Sequence, residues 1–352
     1  MAVALGSVVA PVKRTISIND LSGKIVAIDA YNTLYQFLSI IRQPDGTPLM
    51  DANGNVTSHL SGIFYRTQNL IAAGVKPIFV FDGLPHRLKS KTIAARMSHR
   101  QAAYESWQKA KENGDLEEAR TKAMASSRVN KSIVESGKEL MKLMGIQIVQ
   151  APGEGEAQAS RMVSEGFAYS VASQDYDVFL FGANVVTRNL TISGRRKLPG
   201  KNVFVNVQPE LVLLDELLSS LQISRKKLVW MGMLMGTDFN EGINKVGPKT
   251  ALKIVKNVET LEDLVAYVKT KYSVDMSDFA NEVQEIFLKP ETVQIDFQKL
   301  QNAMDDSKPD VDGIVKFMCD LHGFSRERIE KFAESISKAS SSNAQKGINN
   351  WM

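Results

Sequence analysis

The sequence predicts an α/β fold, a central mainly parallel twisted sheet flanked by helices, and three observations carry the prediction. First, short apolar, β-branched runs at 24–28, 77–81 and 146–150 alternate with helix-length segments, the pattern of parallel strands joined by crossover helices. Second, each run leads directly into acidic residues, Asp29, Asp82 and the pair Glu154/Glu156, and ligands of open α/β sheets bind outside the carboxyl ends of the strands. Third, strand signals stop between 84 and 128 and fade again beyond 208. An inserted helical arch and a helical C-terminal region with a helix-hairpin-helix type element therefore complete the expected fold.

Taken in order, residues 1–10 are apolar and small, but no basic stretch precedes them and Lys13 and Arg14 follow. They are expected to belong to the fold rather than to a signal segment. The strand at 24–28 is followed by a helix over 31–41, then a turn-rich hairpin with Pro44, Gly46, Pro48 and Gly54. A helix over 58–73 stops at Gly74, and the strand at 77–81 ends in Asp82-Gly83. From 84 to 128 the chain is polar and helix-prone, and Asn113-Gly114-Asp115 splits it into two halves. It reads either as a solvated helical hairpin or as something sharper. Lys89, Arg96 and Arg100 are spaced i, i+7, i+11, so they share one helical stripe. Beside a carboxylate cluster, such a stripe suits a phosphodiester whose developing charge needs cations.

A helix over 131–144 leads to the most acidic stretch. Here a strand (146–150), a turn (152–155), a helix (156–164) and a strand (168–173) place Glu154/Glu156 and Asp175/Asp177 after successive strand ends. Apolar runs at 178–182 and 185–190, a basic loop at 195–197 and a strand at 203–207 follow. Helices are expected over 211–221 and 228–235, the latter ended by Gly236-Thr237-Asp238. In the stretch from Gly242 to Ala251, two glycines flank an apolar pair and Pro248 is set for a first helical turn. Its N–H groups and the following helix N-terminus form an anion site, with Lys245 and Lys249 adding charge. The bland alternative is an ordinary helix connection. Helices over 260–287 and 311–336, joined by a Pro- and Asp-containing segment, precede a Ser-rich stretch at 338–344. No second sheet and no repeat is expected. The chain divides into one domain over 1–337 (arch about 84–130, hairpin element about 228–256) and a flexible tail over 338–352.

Composition narrows the function classes. The 352 residues are 43% hydrophobic and 23% charged, with a formal net charge of +4, an ordinary globular balance with a slight bias toward anionic partners. The single cysteine, Cys319, excludes an intramolecular disulfide and a Cys-rich zinc site and fits a reducing intracellular compartment. His59, His86, His99 and His322 show no metal-ligand spacing. No run approaches a membrane span.

The acids at element ends are Asp29, Asp82, Glu154, Glu156, Asp175, Asp177 and Asp238. Any one alone reads as a cap or turn former. Together they would repel one another unless cations intervene, and hard divalent ions with oxygen ligands, Mg²⁺ or Mn²⁺ first, are the match. No Ser-His-Asp or Cys-His order is visible, which disfavours a protein nucleophile. Two-metal hydrolysis is the reaction class that needs many carboxylates and none.

The sequence resembles the flap endonuclease family of structure-specific 5′ nucleases over nearly its whole length. The resemblance is carried by Ile28-Asp29-Ala30, Thr57-Ser58-His59-Leu60, Phe81-Asp82-Gly83, residues 151–157 (Ala-Pro-Gly-Glu-Gly-Glu-Ala), residues 173–177 (Ser-Gln-Asp-Tyr-Asp), and Gly236-Thr237-Asp238 followed by the Gly-Pro-Lys hairpin. It implies that all seven acids bind two Mg²⁺, with Mn²⁺ as a substitute. Asp82, Glu154, Glu156 and Asp175 would mainly serve one ion, Asp177 and Asp238, with Asp175 nearby, the other, and Asp29 would act largely through water. It also implies catalytic roles for Lys89 and Arg96, base stacking on Tyr35, and DNA contacts from Arg42, Arg66 and Arg100. A K⁺-assisted duplex contact is implied at the hairpin, through Gly242, Lys245, Gly247 and Lys249. The implied substrate is branched duplex DNA with a 5′ flap threaded under the arch, cut at the flap base during Okazaki-fragment maturation and repair.

The C-terminal Gln345, Ile348, Trp351 and Met352 resemble a sliding-clamp interaction box, a short peptide that seats an apolar plug in a groove. Met352 stands where the family usually has an aromatic, and Ala2 where it usually has Gly. A monomer is expected, in the nucleoid region if archaeal, as the absence of a basic tail beyond the box indicates, and nuclear if eukaryotic. The alternatives are a related junction or gap nuclease, against which the length of the arch argues, and a non-catalytic clamp-associated DNA-binding adaptor, which loss of a core acid would favour. No core acid is lost.

Overall fold

A computed structural model describes residues 3–192, 194–197 and 204–334. The clamp-like box at Gln345, Ile348, Trp351 and Met352, the rest of the tail, and Ala2 lie outside the described residues.

The strands are β1 (Arg14–Thr15), β2 (Ile25–Asp29), β3 (Lys76–Phe81), β4 (Gln147–Gln150), β5 (Ser170–Ala172), β6 (Val185–Arg188), β7 (Gly194–Lys197), β8 (Phe204–Val207) and β9 (Glu210–Leu213). Seven of them form one sheet in the order β1-β9-β6-β5-β2-β3-β4. The stretch from β6 to β4 is parallel; β9 pairs antiparallel to β6, and β1 antiparallel to β9. The chain runs from β2 outward to β3 and β4, then returns to β5 on the other side of β2. This makes a topological switch point between β2 and β5, the place where open sheets hold ligands.

Register brings the acids together. Asp29 pairs with Val80, Phe81 with Gln150, and Ile28 with Ala172. The residues just past Phe81, Gln150 and Ala172 therefore emerge at the same edge as Asp29. Alternation of side chains along a strand then splits the core between two faces. Ala27, Ile78, Val80 and Val171 pack with helices Gly155–Ser164, Arg225–Met235 and Pro248–Lys256. Val26, Ile28, Phe79 and Phe81 pack with helices Ala30–Ile40, Ser58–Ala72 and Lys131–Leu143. Val3, Leu5 and Val9 are buried in the first of these cores, so the apolar N-terminal segment is part of the fold.

The arch consists of helices Ser90–Glu112 and Leu116–Ala125. Gly114 has φ +73° between them, and the Asp115 side chain caps the second helix by accepting from Glu118 N at 2.9 Å. The arch has a small core of its own, Trp107, Ala110, Ala119 and Ala123. It docks on the 42–47 turn, where Trp107 Nε1 donates to Asp45 O at 3.0 Å and Lys111 pairs with Asp45 at 2.9 Å. Gly46 (φ +84°) is the close-approach point: a Cβ there would lie 2.6 Å from Ala123 Cβ, so only glycine meets both the backbone and the packing demand.

Five expectations need correction, the first being the helix over 311–336, which ends at Leu321 after a π-helical turn (Lys316–Leu321) and gives way, after a non-helical stretch at 322–325, to a separate helical segment starting at 326. The basic residues 195–197 lie in β7, paired antiparallel with β8 in a separate two-stranded ribbon, so they are not a loop and a second sheet exists. The expected helix at 211–221 begins later, because Glu210–Leu213 is the strand β9 that covers the edge of β6. The expected helix at 260–287 is two, Leu261–Tyr272 and Ala280–Leu288, parted where Ser273 turns left-handed at φ +57°. The connecting segment 289–310 contains a helix, Phe297–Asp306, whose Ala303 O accepts from Gln147 Nε2 at 3.1 Å against the opposite edge strand. Among the described residues no helix is long and apolar enough to cross a membrane.

Candidate metal centre and nucleic-acid interface

Each acid is set by a local device. Asp29 ends β2 and is the N-cap of helix Ala30–Ile40, accepting from Asn32 N at 3.0 Å. Asn32 then reaches across with Nδ2, 2.9 Å from Asp175 Oδ2. Asp82 follows β3, and its Oδ1 accepts from Gly155 N at 2.7 Å, at the N-terminus of helix Gly155–Ser164, where a negative charge is favoured. Gly83 lets that turn close: Gly83 N donates to Gly153 O at 2.6 Å, and a Cβ at Gly83 would sit 2.1 Å from Pro152 O. Glu156, in the first turn of the same helix, accepts from Ser173 Oγ at 2.8 Å. Asp177 accepts from Val3 N at 2.7 Å, which ties the N-terminal segment to the site. Asp238 follows helix Arg225–Met235, after Gly236 at φ +96°.

The arch supplies the cations. Lys89 Nζ is ion-paired with Glu154 and lies 3.5 Å from Asp238 Oδ2. Arg96 Nη2 is 2.5 Å from Asp238 Oδ1, and Thr92 Oγ1 donates to Asp238 O at 3.0 Å. The base of the arch is thus pinned over the acids. Farther along, the Arg100 guanidinium lies 5.0 Å from the centre of the Tyr35 ring.

Electrostatics show how crowded the site is. Burial first, then Asp82 and Asp175, pushes Asp29 well above the usual carboxylate range. Burial, then Asp175, Asp29 and Asp177, does the same to Glu156. Asp82 is raised to about 6 by burial and by Glu154, and Asp177 to about 7 by burial, Asp238 and Asp175, against the opposing Val3 hydrogen bond. Asp175 is raised by burial and by Asp238. Burial would also raise Asp238, but Lys89 and Arg96 help bring it below its ordinary value. Burial alone would lower Lys89; Glu154 and Asp238 raise it instead. All seven acids therefore belong to one electrostatic cluster, including Asp238 from a distant part of the chain.

Among the described residues no three His, Cys, Asp or Glu side chains are already closed around one point as a ligand cage. The carboxylates are instead engaged by Gly155 N, Asn32, Ser173, Val3 N, Lys89 and Arg96. The donor set nonetheless fits a divalent cation. It is all hard oxygen, and several acids are disfavoured as anions until positive charge arrives.

This has a pH consequence. A carboxyl held at about 6 or 7 in the fold, against 3.8 ordinarily, keeps its proton where the unfolded chain has lost it. Metal-free stability from these groups is therefore lost as pH rises from about 4 to about 7. Buried His59, lowered from 6.5 to about 3, acts in the opposite sense below pH 6.5, so the diagnostic quantity is the metal-dependent part. Mg²⁺ is expected to raise the melting temperature little at pH 5 and progressively more up to pH 7.5 as it replaces protons. Differential scanning fluorimetry with Mg²⁺ against EDTA reads this, and a pH-independent Mg²⁺ shift would contradict it.

The remaining expected contacts are dispersed. Gly242, Lys245 and Lys249 are exposed on the 242–249 hairpin, Ile243 and Val246 anchor it in the core, and Lys245 is left-handed at φ +65°. Arg66 lines a cavity of about 400 Å³ between helix Ser58–Ala72 and the β7–β8 ribbon, away from the acids. Arg42 donates to Leu38 O, Gly46 O and Ser127 Oγ, an internal brace for the arch dock. Asn32, Ser173 and Thr92 carry no assigned role in the sequence. Asn32 had a signal, since a capping Asp accepts from the residue three further on, and Ser173 belongs to the 173–177 motif; Thr92 has none, being brought in by tertiary packing.

Two sequence families match the chain, one described as the XPG N-terminal domain over residues 1–103 and one as the XPG I-region over residues 145–238. A flap endonuclease 1 from Thermococcus onnurineus is 48% identical over 352 residues, covering 100% of this chain and 99% of that protein. One from Pyrococcus furiosus is 47% identical with the same coverage. Among solved structures, the flap endonuclease-1 from Methanococcus jannaschii superposes with a TM-score of 0.72 at 36% identity, covering 97% of this chain and 99% of that one. The catalytic core of Rad2 in complex with DNA shares the fold, with a TM-score of 0.67 at 21% identity over 96% of this chain and 100% of that one.

Proposed function

The chain belongs to the flap endonuclease family, and from that premise we propose that it cuts 5′ DNA flaps at their base with two Mg²⁺ held by the seven acids. Nucleases of this family depend on divalent metal. The observation that carries the reading is the convergence of acids from four strand ends and from Asp238 beneath a cationic arch.

The seven acids act on one another across both proposed ligand sets, Asp82 being raised, after burial, by Glu154 and Asp238 and Glu156 by Asp175, Asp29 and Asp177, so the division of ligands between the two ions rests on the family resemblance. Asp29, held by Asn32, acts at one remove. Bound there, the ions supply Lewis acidity, activating water and neutralising charge on the scissile phosphate. The chain's own residues do the rest. Lys89 and Arg96 exchange their carboxylate partners for phosphate oxygens and stabilise the charge that develops on them. Tyr35 offers its ring to a flanking base once Arg100 leaves it. The 242–249 hairpin grips duplex backbone without reading sequence, with K⁺ as an accessory ion. Arg42 acts toward DNA indirectly, by bracing the arch, and Arg66 from the cavity beside the β7–β8 ribbon, away from the acids.

The test is incision of labelled 5′-flap, gapped and single-stranded DNA in Mg²⁺. Cutting near the flap base, well above that of the free single strand, is expected; equal cutting of both would remove the flap-specific reading. The sliding clamp is the proposed partner of the tail. Deleting residues 345–352 is expected to abolish clamp binding in a pull-down while leaving incision without clamp intact.

A further inference from the structure

The loop carrying Asp175 and Asp177 runs from the end of β5 to the helical turn Asp177–Leu180. It brings two acids into a cluster that repels both, and within the loop itself one hydrogen bond is found, Asp175 N to Ser173 Oγ at 3.1 Å. Ser173, Asn32 and Val3 N bond at its ends and to its acids, and its backbone and its tyrosine are held from the neighbouring strand. β6 pairs parallel with β5, Ala172 opposite Thr187, so the next residue of β6, Arg188, stands beside the start of the loop. Its Nη2 donates to Gln174 O at 2.7 Å, its Nη1 donates to the Tyr176 hydroxyl, and its guanidinium lies 4.1 Å from the centre of the Tyr176 ring. The residues on both sides of Asp175 are thus gripped by one side chain. Its charge also opposes the upward push on the Asp175 carboxyl.

A second tether leaves the same segment. Thr191 Oγ1 donates to Gln36 Oε1 at 3.1 Å, Gln36 donates to Asn32 Oδ1, and Asn32 Nδ2 donates to Asp175 Oδ2 at 2.9 Å. The left-handed Asn189, φ +60°, turns the chain between Arg188 and Thr191 so that both reach inward.

We propose that Arg188 is a positioning residue, whose clamp on Gln174 and Tyr176 sets how tightly the Asp175–Asp177 loop holds divalent cations. The proposal rests on the two-metal reading above. Arginine suits the task because its planar fork bonds two acceptors while stacking on a ring, which lysine cannot do. Groups that orient metal ligands change metal affinity or activity by about 10–100-fold when removed.

The experiment is a Mg²⁺ titration of the full chain, read by thermal shift and by flap incision, with DNA affinity measured separately in EDTA. Arg188→Ala is expected to raise both Mg²⁺ midpoints by about 10–100-fold, to recover incision at saturating Mg²⁺, and to leave DNA affinity unchanged. Arg188→Lys should fall between it and wild type, and Tyr176→Phe should move the midpoints less than Arg188→Ala. Unchanged midpoints in folded Arg188→Ala would overturn the proposal. So would a loss of incision that Mg²⁺ does not recover and that tracks weakened DNA binding, which would make Arg188 a DNA contact. If Arg188→Ala does not fold, unchanged midpoints in both Arg188→Lys and Tyr176→Phe would overturn it. A wild-type protein without any Mg²⁺-dependent shift would instead remove the two-metal reading beneath it.

Discussion

Asp175→Asn is expected to lower flap incision by about a thousandfold, the scale on which pre-organised transition-state electrostatics are lost, while flap DNA still binds. The substitution is nearly isosteric and keeps an oxygen for the Asn32 Nδ2 bond, so the loop has little reason to move. It does remove one charge from a site where Asp29, Glu156 and Asp177 are each pushed upward by Asp175. The same variant should therefore melt at a higher temperature than wild type in EDTA at pH 8 and gain less from Mg²⁺. Stability gained as activity is lost is the signature of a site that stores repulsion for function. A variant that lost activity and also lost metal-free stability would point to a structural role for Asp175.

Lys89→Ala separates the cationic from the anionic half of the site. Lys89 holds Glu154 and sits near Asp238 in the free protein, so divalent ions must compete with it for those carboxylates. Its removal is expected to lower incision by about 10²–10³-fold, as for loss of one charge-stabilising donor. Mg²⁺-dependent stabilisation should be retained or increased, because Glu154 loses its cation and Asp238 loses Lys89 while keeping Arg96. A parallel loss of Mg²⁺ stabilisation would mean that Lys89 organises the ligands rather than the phosphate. Arg96 shares only Asp238, so Arg96→Ala should show the first effect with less of the second.

Much of the fold and of the site is legible in the amino-acid sequence. Strand-end acids follow from pattern alone, since Asp29, Asp82 and the two acid pairs each come just after an apolar run. The arch, with its break at Gly114, follows from polarity and one turn tripeptide. Local pattern does not show convergence. Asp238 joins the cluster only because helix Arg225–Met235 packs on one face of the sheet. Arg42 looks like a free cation in sequence, yet its donors are spent on Leu38, Gly46 and Ser127. β8 is legible as the strand at 203–207, but its partner β7 escapes notice because residues 195–197 are basic and carry no apolar alternation, and β9 because its apolar run merges into the following helix. Arg188 carries no signal of its contacts, because its partners at 174 and 176 adjoin it only through strand pairing.

Anomalous diffraction from crystals soaked in Mn²⁺ tests whether the acids of four strand ends, with Asp238, hold two divalent ions beneath the arch. Two peaks roughly 4 Å apart are predicted, one against Asp82, Glu154, Glu156 and Asp175 and the other against Asp177 and Asp238. A single peak, or peaks away from these carboxylates, would contradict the account.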